Sequence, residues 1–198
     1  SSFAGNPYFI DLDDLAADGL LEPADYRGID WGDPQRVDYA LLYEKRYPVL
    51  RRAVERLLAA PPADYAAFLE ENADWLEDYA LFMALKDKFG GVSWFQWPEE
   101  LRRRDPAALK AAEQELSQDI SFWKAVQYLF FAQWRSLKEY ANQKGVSIIG
   151  DLPIYVAGDS ADVWANQSQF QLDENLMPTE VSGCPPDGFA ADGQLWGN

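Results

Sequence analysis

Residues 146–151, VSIIGD, and the continuation 152–165, LPIYVAGDSADVWA, decide the fold. Val146, Ile148 and Ile149 crowd apolar, β-branched side chains into one short run, which reads as a buried strand. The run ends in Asp151, and Pro153 stops it from extending regularly. A long helical stretch over residues 105–144 precedes it, closed by Gly145 as C-cap. Helix, tight glycine turn and apolar strand together form the α-to-β half of an α/β unit. In a parallel α/β barrel the strand C-termini face the active site, which makes Asp151 the foremost candidate acid. The plainer alternative is an acid that only caps the loop after it.

The rest of the chain reads as mainly helical, with one to three short strands in all. Residues 12–17 predict one or two helical turns, stopped by Gly19. Leu50, Val54, Leu57 and Leu58 repeat at helical spacing within 37–59, with Pro48 expected to kink or split that segment. Leu76, Tyr79, Ala80, Met83 and Ala84 mark a second helix, ended by Gly90 and Gly91. Asp105-Pro106 has the pattern of an N-cap followed by proline at the first helical position. Phe122, Val126, Leu129, Phe130, Gln133 and Leu137 line one face of the long helix. Trp123, Phe131 and Trp134 make its other faces apolar too, so burial on several sides is expected. Residues 160–165 predict a helical turn, and a short strand is expected around 179–182.

Composition narrows the chemistry. The 198 residues carry 17 basic and 33 acidic side chains, a net charge of -16, which disfavours phosphate backbones and anionic membranes as partners. No apolar run approaches the roughly 20 residues of a membrane span. The start, SSFAGNPYF, lacks the basic and apolar regions of a signal peptide, and its position inside a motif suggests a cut chain. Cys184 is the only cysteine, so no intrachain disulfide or thiolate zinc cluster is expected, and a cytoplasmic setting fits. The chain has no histidine, which removes imidazole acid–base chemistry, serine triads and histidine metal sites. Any chemistry here runs on carboxylates, and eight tryptophans supply rings suited to sugar faces or to a core.

Several further residues stand out. Asp159, Asp162, Asp173 and Glu174 could supply a carboxylate pair across a glycosidic bond, although loop acids and helix caps are the commoner use of such residues. The closing stretch 183–198, GCPPDGFAADGQLWGN, suits a shaped loop over a site, with Gly183, Gly188 and Gly193 free to take unusual dihedrals. Within it Gln194 and Trp196 alternate as a hydrogen-bonding amide and a stacking ring. Tyr39 and Tyr43 share a helical face, where core packing is the default expectation. Arg102, Arg103 and Arg104 read as a solvated helix end.

Five stretches in order, SSFAGNPYFIDLDDL, RVDYALLYEKRYPVL, WLEDYALFMALKDKFGG, IIGDLPIYVAGDSADVWAN and GQLWGN, resemble the 4-α-glucanotransferases (amylomaltases, disproportionating enzymes) of glycoside hydrolase family 77. The resemblance implies an α/β fold, part of a modified TIM barrel with helical insertions. It implies transfer of α-1,4-glucan segments between malto-oligosaccharides with retention, without a cofactor or metal. Residues 1–36 would then be a barrel-flanking loop and active-site wall, 37–104 an inserted helical subdomain, and 105–198 a barrel helix, the third barrel strand and the lid loop.

By position in the family's motifs, Asp151 would hold substrate without being the nucleophile. Gln194 and Trp196 would contact glucan, Pro186 and Asp187 would lie in the lid loop over the donor site, and Tyr39 would line a second, remote glucan groove. Gly188 departs from the family's usual aromatic after Pro-Pro-Asp. The nucleophile of the Arg-x-Asp-His motif and the acid/base Glu match nothing in residues 1–198, so no catalytic residue is expected here and the remainder of the barrel is the expected partner. Two other readings compete: a helical α-glucan-binding or interaction module without catalysis, and another α-glucan enzyme of the same clan. GDLPIY and GQLWGN favour the glucanotransferase over the latter.

Overall fold

The computed structural model describes residues 2–151 and 153–196. The chain folds as two compact units. One draws on segments 1–4, 74–120 and 150–198, the other on 5–73 and 121–149.

In the second unit, Asp11 caps the short helix α1 (Leu12–Ala17) by accepting from the backbone N–H groups of Asp13 and Asp14. Gly19 leaves that helix at a φ of 75°, as its sequence position predicts. Helix α2 (Tyr39–Ala59) starts at Asp38 and runs unbroken through Pro48, so the expected split does not occur. Proline at position 48 withholds the N–H that would reach the Glu44 carbonyl. Both Pro48 and Glu44 lie on the exposed side of the helix. The buried set Val49, Leu50, Ala53, Val54 and Leu57 holds the helix on its other side. Helix α3 (Tyr65–Glu71), not anticipated from periodicity, buries only Tyr65 and Phe68.

The helical stretch over 105–144 is two helices, α6 (Pro106–Glu115) and α7 (Ser117–Gln143), separated at Leu116. Phe122, Trp123, Ala125, Val126, Gln127, Tyr128 and Leu129 of α7 are all buried, more than one face can account for. Burial does not persist along the helix: Trp134, Leu137 and Tyr140 are 38%, 55% and 60% exposed.

Tyr128 donates its hydroxyl to Asp64 Oδ1 at 2.7 Å, and its ring meets Tyr65 and Phe68 edge-on. Burial, with the Asp64 hydrogen bond second, pushes the Tyr128 pKa up to about 12. The neutral phenol is the form the fold favours, so its stabilisation is complete below the unfolded value near 10 and is lost as pH rises towards 12. Chemical denaturation at stepped pH should show stability falling across that window, with Tyr128→Phe losing this part of the dependence.

The first unit is built on helix α4 (Ala73–Lys88), closed by Gly90 and Gly91 at φ 67° and 81°. Short helix α5 (Glu99–Arg102) follows, and α8 (Ala161–Ala165) is capped by the Ser160 hydroxyl. Their core is aromatic. Phe82, Trp97 and Trp164 lie with ring centroids 5.3–5.8 Å apart, all nearly inaccessible. Trp94 and Trp164 donate their indole N–H groups to the Gly158 and Leu101 carbonyls at 2.8 and 2.9 Å, so burial leaves neither donor unpaired.

Among the described residues the only strands are β1 (Gly183–Cys184) and β2 (Gln194–Leu195), an antiparallel pair just past the expected 179–182. The stretch 146–151 is not the buried strand its composition predicts. It has no ladder, and Val146, Ile148 and Ile149 are 56%, 40% and 94% exposed. A strand is defined by its neighbours' hydrogen bonds, and none of the described residues supplies them to this stretch. Among the described residues, no helix is long and apolar enough to cross a membrane.

Candidate functional site

The closing hairpin brings together four sequence-predicted residues, Pro186, Asp187, Gln194 and Trp196. Cys184 pairs with Gln194 and Gly183 with Leu195 across β1 and β2, and the Trp196 N–H extends the pairing to the Ser182 carbonyl at 2.8 Å. Gln194 and Trp196 point the same way, since strand side chains repeat every second residue. Trp196 donates its indole N–H to Gln194 Oε1 at 3.0 Å. That bond orients the amide so that Gln194 Nε2 remains a donor. The Trp196 ring is 48% exposed and lies 5.7 Å from the ring of Tyr155, a contact missed in the sequence although Tyr155 is in the quoted GDLPIY.

Pro186 and Asp187 lie in the exposed loop between the strands. Asp187 Oδ1 accepts the N–H groups of Phe189 and Ala190 at 2.8 Å each, and the Asp187 N–H donates to the Ala190 carbonyl. One carboxylate oxygen of Asp187 therefore shapes the loop. The turn leaves Phe189 99% exposed at its tip, a ring that sequence reasoning passed over. Beside the hairpin runs a groove of about 700 Å³, whose lining includes Tyr155, Phe170, Leu172 and Val181.

The three glycines of the closing stretch differ. Gly193 sits at φ 73°, and a Cβ there would meet the Cys184 carbonyl oxygen at 2.6 Å. Gly183 has no positive φ, but a Cβ would lie 2.4 Å from the Gln194 carbonyl oxygen. Gly188 needs neither freedom, with open space around it and no left-handed backbone. The left-handed freedom that all three glycines offer is used at Gly193 alone.

Asp151 is exposed, outside any helix or strand, in the same unit. Among the described residues its carboxylate has no hydrogen-bond or ion-pair partner. Of the neighbouring acids, Glu174 is exposed and, among the described residues, offers only its backbone carbonyl to a bond, and the other three are spent. Asp159 binds Lys86 Nζ at 2.7 Å and the Trp94 N–H at 3.1 Å, Asp162 accepts the Ser2 N–H, and Asp173 Oδ1 caps its own turn from Asn175 and Met177. These are loop ties and caps, and no set of acids among the described residues has the clustering of a metal site.

Tyr39 belongs to the other unit and is not core. Tyr39 and Tyr43 are 66% and 60% exposed, the reverse of the default expectation. The Tyr8 ring lies 6.1 Å from Tyr39 and 6.0 Å from Tyr47, and Tyr47 meets Tyr43 at 5.3 Å, giving a row of four phenols. Tyr47 continues the helical spacing of Tyr39 and Tyr43 at i+8, a signal the sequence reading passed over, whereas Tyr8 is distant in sequence and has no periodic link to them.

The family model for 4-alpha-glucanotransferase matches residues 1–198. A 4-alpha-glucanotransferase of Clostridium butyricum is 47% identical over 200 residues, covering 100% of this chain and 41% of that protein. The Thermus thermophilus 4-alpha-glucanotransferase is 49% identical over 203 residues, again covering 100% of this chain and 40% of that protein. Among solved structures, the amylomaltase from Streptococcus agalactiae in complex with acarbose superposes with a TM-score of 0.94 at 44% identity, covering 100% of this chain and 40% of that one. The chain thus spans about two fifths of the length of these relatives. Matched from end to end by the family model, the chain belongs to the 4-alpha-glucanotransferase family.

Proposed function

We propose that the chain is the glucan-holding part of a 4-α-glucanotransferase that moves α-1,4-glucan segments between malto-oligosaccharides by a retaining double displacement. The carrying observation is the oriented pair Gln194 and Trp196, a half-exposed ring beside an amide whose Nε2 is left to donate. Flat rings take the apolar faces of sugars and adjacent donors take their hydroxyls. Asp151, with its carboxylate unspent, accepts from a substrate hydroxyl, and Pro186 and Asp187 form the lid loop.

A retaining mechanism needs a nucleophile and an acid/base about 5–5.5 Å apart. On the family resemblance both belong to the remainder of a parent TIM barrel, which is the chain's partner. Residues 1–36 serve as active-site wall, 37–104 as helical insertion and 105–198 as barrel helix and lid, with 146–151 pairing as third strand only where the parent barrel supplies its neighbours. The setting is cytoplasmic, in keeping with the lone, unpaired Cys184. No cofactor enters this chemistry.

The test is a titration of the isolated chain with maltoheptaose, read by tryptophan fluorescence, beside an assay for turnover of maltotriose. Saturable quenching that Trp196→Phe removes, with no turnover, is the expected result. Turnover by the isolated chain would sink the assignment of catalysis to residues outside it. The alternative reading, a non-catalytic α-glucan-binding module, is favoured by the row of Tyr8, Tyr39, Tyr43 and Tyr47, of which Tyr39 and Tyr43 are exposed. It predicts that Tyr39→Ala, and not Trp196→Phe, removes the quenching.

A further inference from the structure

Arg102 and Arg103 close helix α5 as the sequence predicts, but they do more than meet solvent. Arg102 Nη2 donates to the Asn175 carbonyl, and Arg103 Nη2 donates to the Glu174 carbonyl at 3.0 Å. These are consecutive peptide groups of one turn, 73 and 71 residues away in sequence. Arg103 keeps its Nε on Glu99 Oε1 at 2.8 Å, so the guanidinium bridges α5 to the turn. Gln167 Nε2 returns the connection by donating to the Arg102 carbonyl at 2.6 Å. Arg104 is used elsewhere: it pairs with Asp78 at 2.5 Å and lies 4.3 Å over the Trp164 ring.

The gripped turn is itself well determined. Asp173 Oδ1 accepts the N–H groups of Asn175 and Met177, the Asp173 N–H donates to the Met177 carbonyl at 2.8 Å, and Leu176 is held at φ 65°. A left-handed leucine is uncommon and persists where the surroundings fix it. The arms of the turn pair at Leu172 and Pro178, and the Thr179 N–H donates to the Gln171 carbonyl at 2.9 Å. Beyond Thr179, only residues 180–182 intervene before β1, and Ser182 already accepts from Trp196. Two guanidinium groups thus tether the segment from which the Gln194 and Trp196 hairpin springs.

A two-residue ladder is marginal by itself, so its orientation depends on what holds its base. Charge-assisted bonds from guanidinium to carbonyl are the strong kind. We propose that Arg102 and Arg103 are positioning residues that hold the β1–β2 hairpin in its glucan-binding orientation. This rests on the glucan reading of Gln194 and Trp196.

Hydrogen exchange read by mass spectrometry, with maltoheptaose titration beside it, tests both layers. In the Arg102→Met/Arg103→Met double variant, amides of 171–196 should exchange about tenfold faster while those of α4 and α6 keep their protection. Maltoheptaose affinity should fall about tenfold, and Arg103→Lys should largely restore the Arg103→Met single variant, because an ammonium can still donate to the Glu174 carbonyl. Unchanged exchange over 171–196, a uniform rise across the chain, or loosened exchange with unaltered affinity would each overturn the proposal. If the unsubstituted chain does not bind maltoheptaose, the glucan reading fails instead, and the exchange arm still decides whether the two arginines tether the hairpin.

Discussion

Gly5→Ala should lower the thermal midpoint by roughly 6–12 °C, the size of shift that a loss of about 3 kcal/mol produces in a domain of this length. A Cβ at position 5 would lie 1.9 Å from Phe130 Cδ1 and within 2.3 Å of two further ring atoms. No small rotation clears three atoms of one ring, and the Phe130 ring is already set edge-on to Phe131 at 5.3 Å. The backbone cannot retreat either. The Gly5 N–H donates to Gln127 Oε1 at 2.7 Å, and the Gly5 carbonyl accepts from Gln127 Nε2 at 3.0 Å. Gln127 is wholly buried.

Moving Gly5 therefore exchanges a steric clash, costing about 1–3 kcal/mol, for buried polar groups left unpaired at about 1–3 kcal/mol each. Gln127→Leu separates the two costs, since it breaks the amide pairing and leaves the Phe130 contact intact. It should destabilise by about 2 kcal/mol or more through the stranded Gly5 groups alone. Urea denaturation of both variants measures this, and a Gly5→Ala midpoint equal to that of the unsubstituted chain would refute the packing argument.

The same glutamine shows where sequence reading stops. Position 127 falls among apolar residues of α7 and carries no signal that its amide would copy a peptide group for Gly5. Gln133 does the same for Asp11, accepting its N–H at 2.7 Å and donating to its carbonyl at 3.0 Å. What was legible rests on bonds between residues a few positions apart. Asp105 before Pro106, Ser160 before α8, and Gly19 and Gly145 at their helix ends are all where the sequence puts them.

The failures share the opposite cause. Pro48 is tolerated because burial of Leu50, Val54 and Leu57 outweighs one lost hydrogen bond. The apolar run 146–151 lacks a ladder because strand formation needs a partner that no local pattern guarantees. The candidate site divides likewise. The Gln194 and Trp196 alternation was legible, although as part of a shaped loop and not as a strand, whereas the Tyr155 ring reaches the hairpin, and the guanidinium groups the turn before it, from other segments.

Gly193→Val should remove the β1–β2 pairing and, with it, saturable maltoheptaose quenching. A non-glycine residue in the left-handed region costs about 1–2 kcal/mol, and more for a β-branched side chain. The Cβ would also sit 2.6 Å from the Cys184 carbonyl oxygen and 3.1 Å from Pro185 and Pro186 backbone atoms. Those atoms belong to the chain that Gly193 must approach for Cys184 to pair with Gln194. A ladder of two residue pairs has too few hydrogen bonds, at about 0.5–1.5 kcal/mol each, to absorb such a sum. Once the pairing is lost, Gln194 and Trp196 no longer share a strand face, and the indole bond that aims the amide goes with it. Gly188→Tyr is the control, because its Cβ meets nothing within 4 Å and its backbone is ordinary. That variant should keep the unfolding free energy within about 0.5 kcal/mol of the parent and place a second ring beside Phe189 on the lid loop. Exchange protection over 183–196 and fluorescence titration read both variants, and a Gly193→Val chain that still binds maltoheptaose at full affinity would show that the hairpin is not the glucan-holding element.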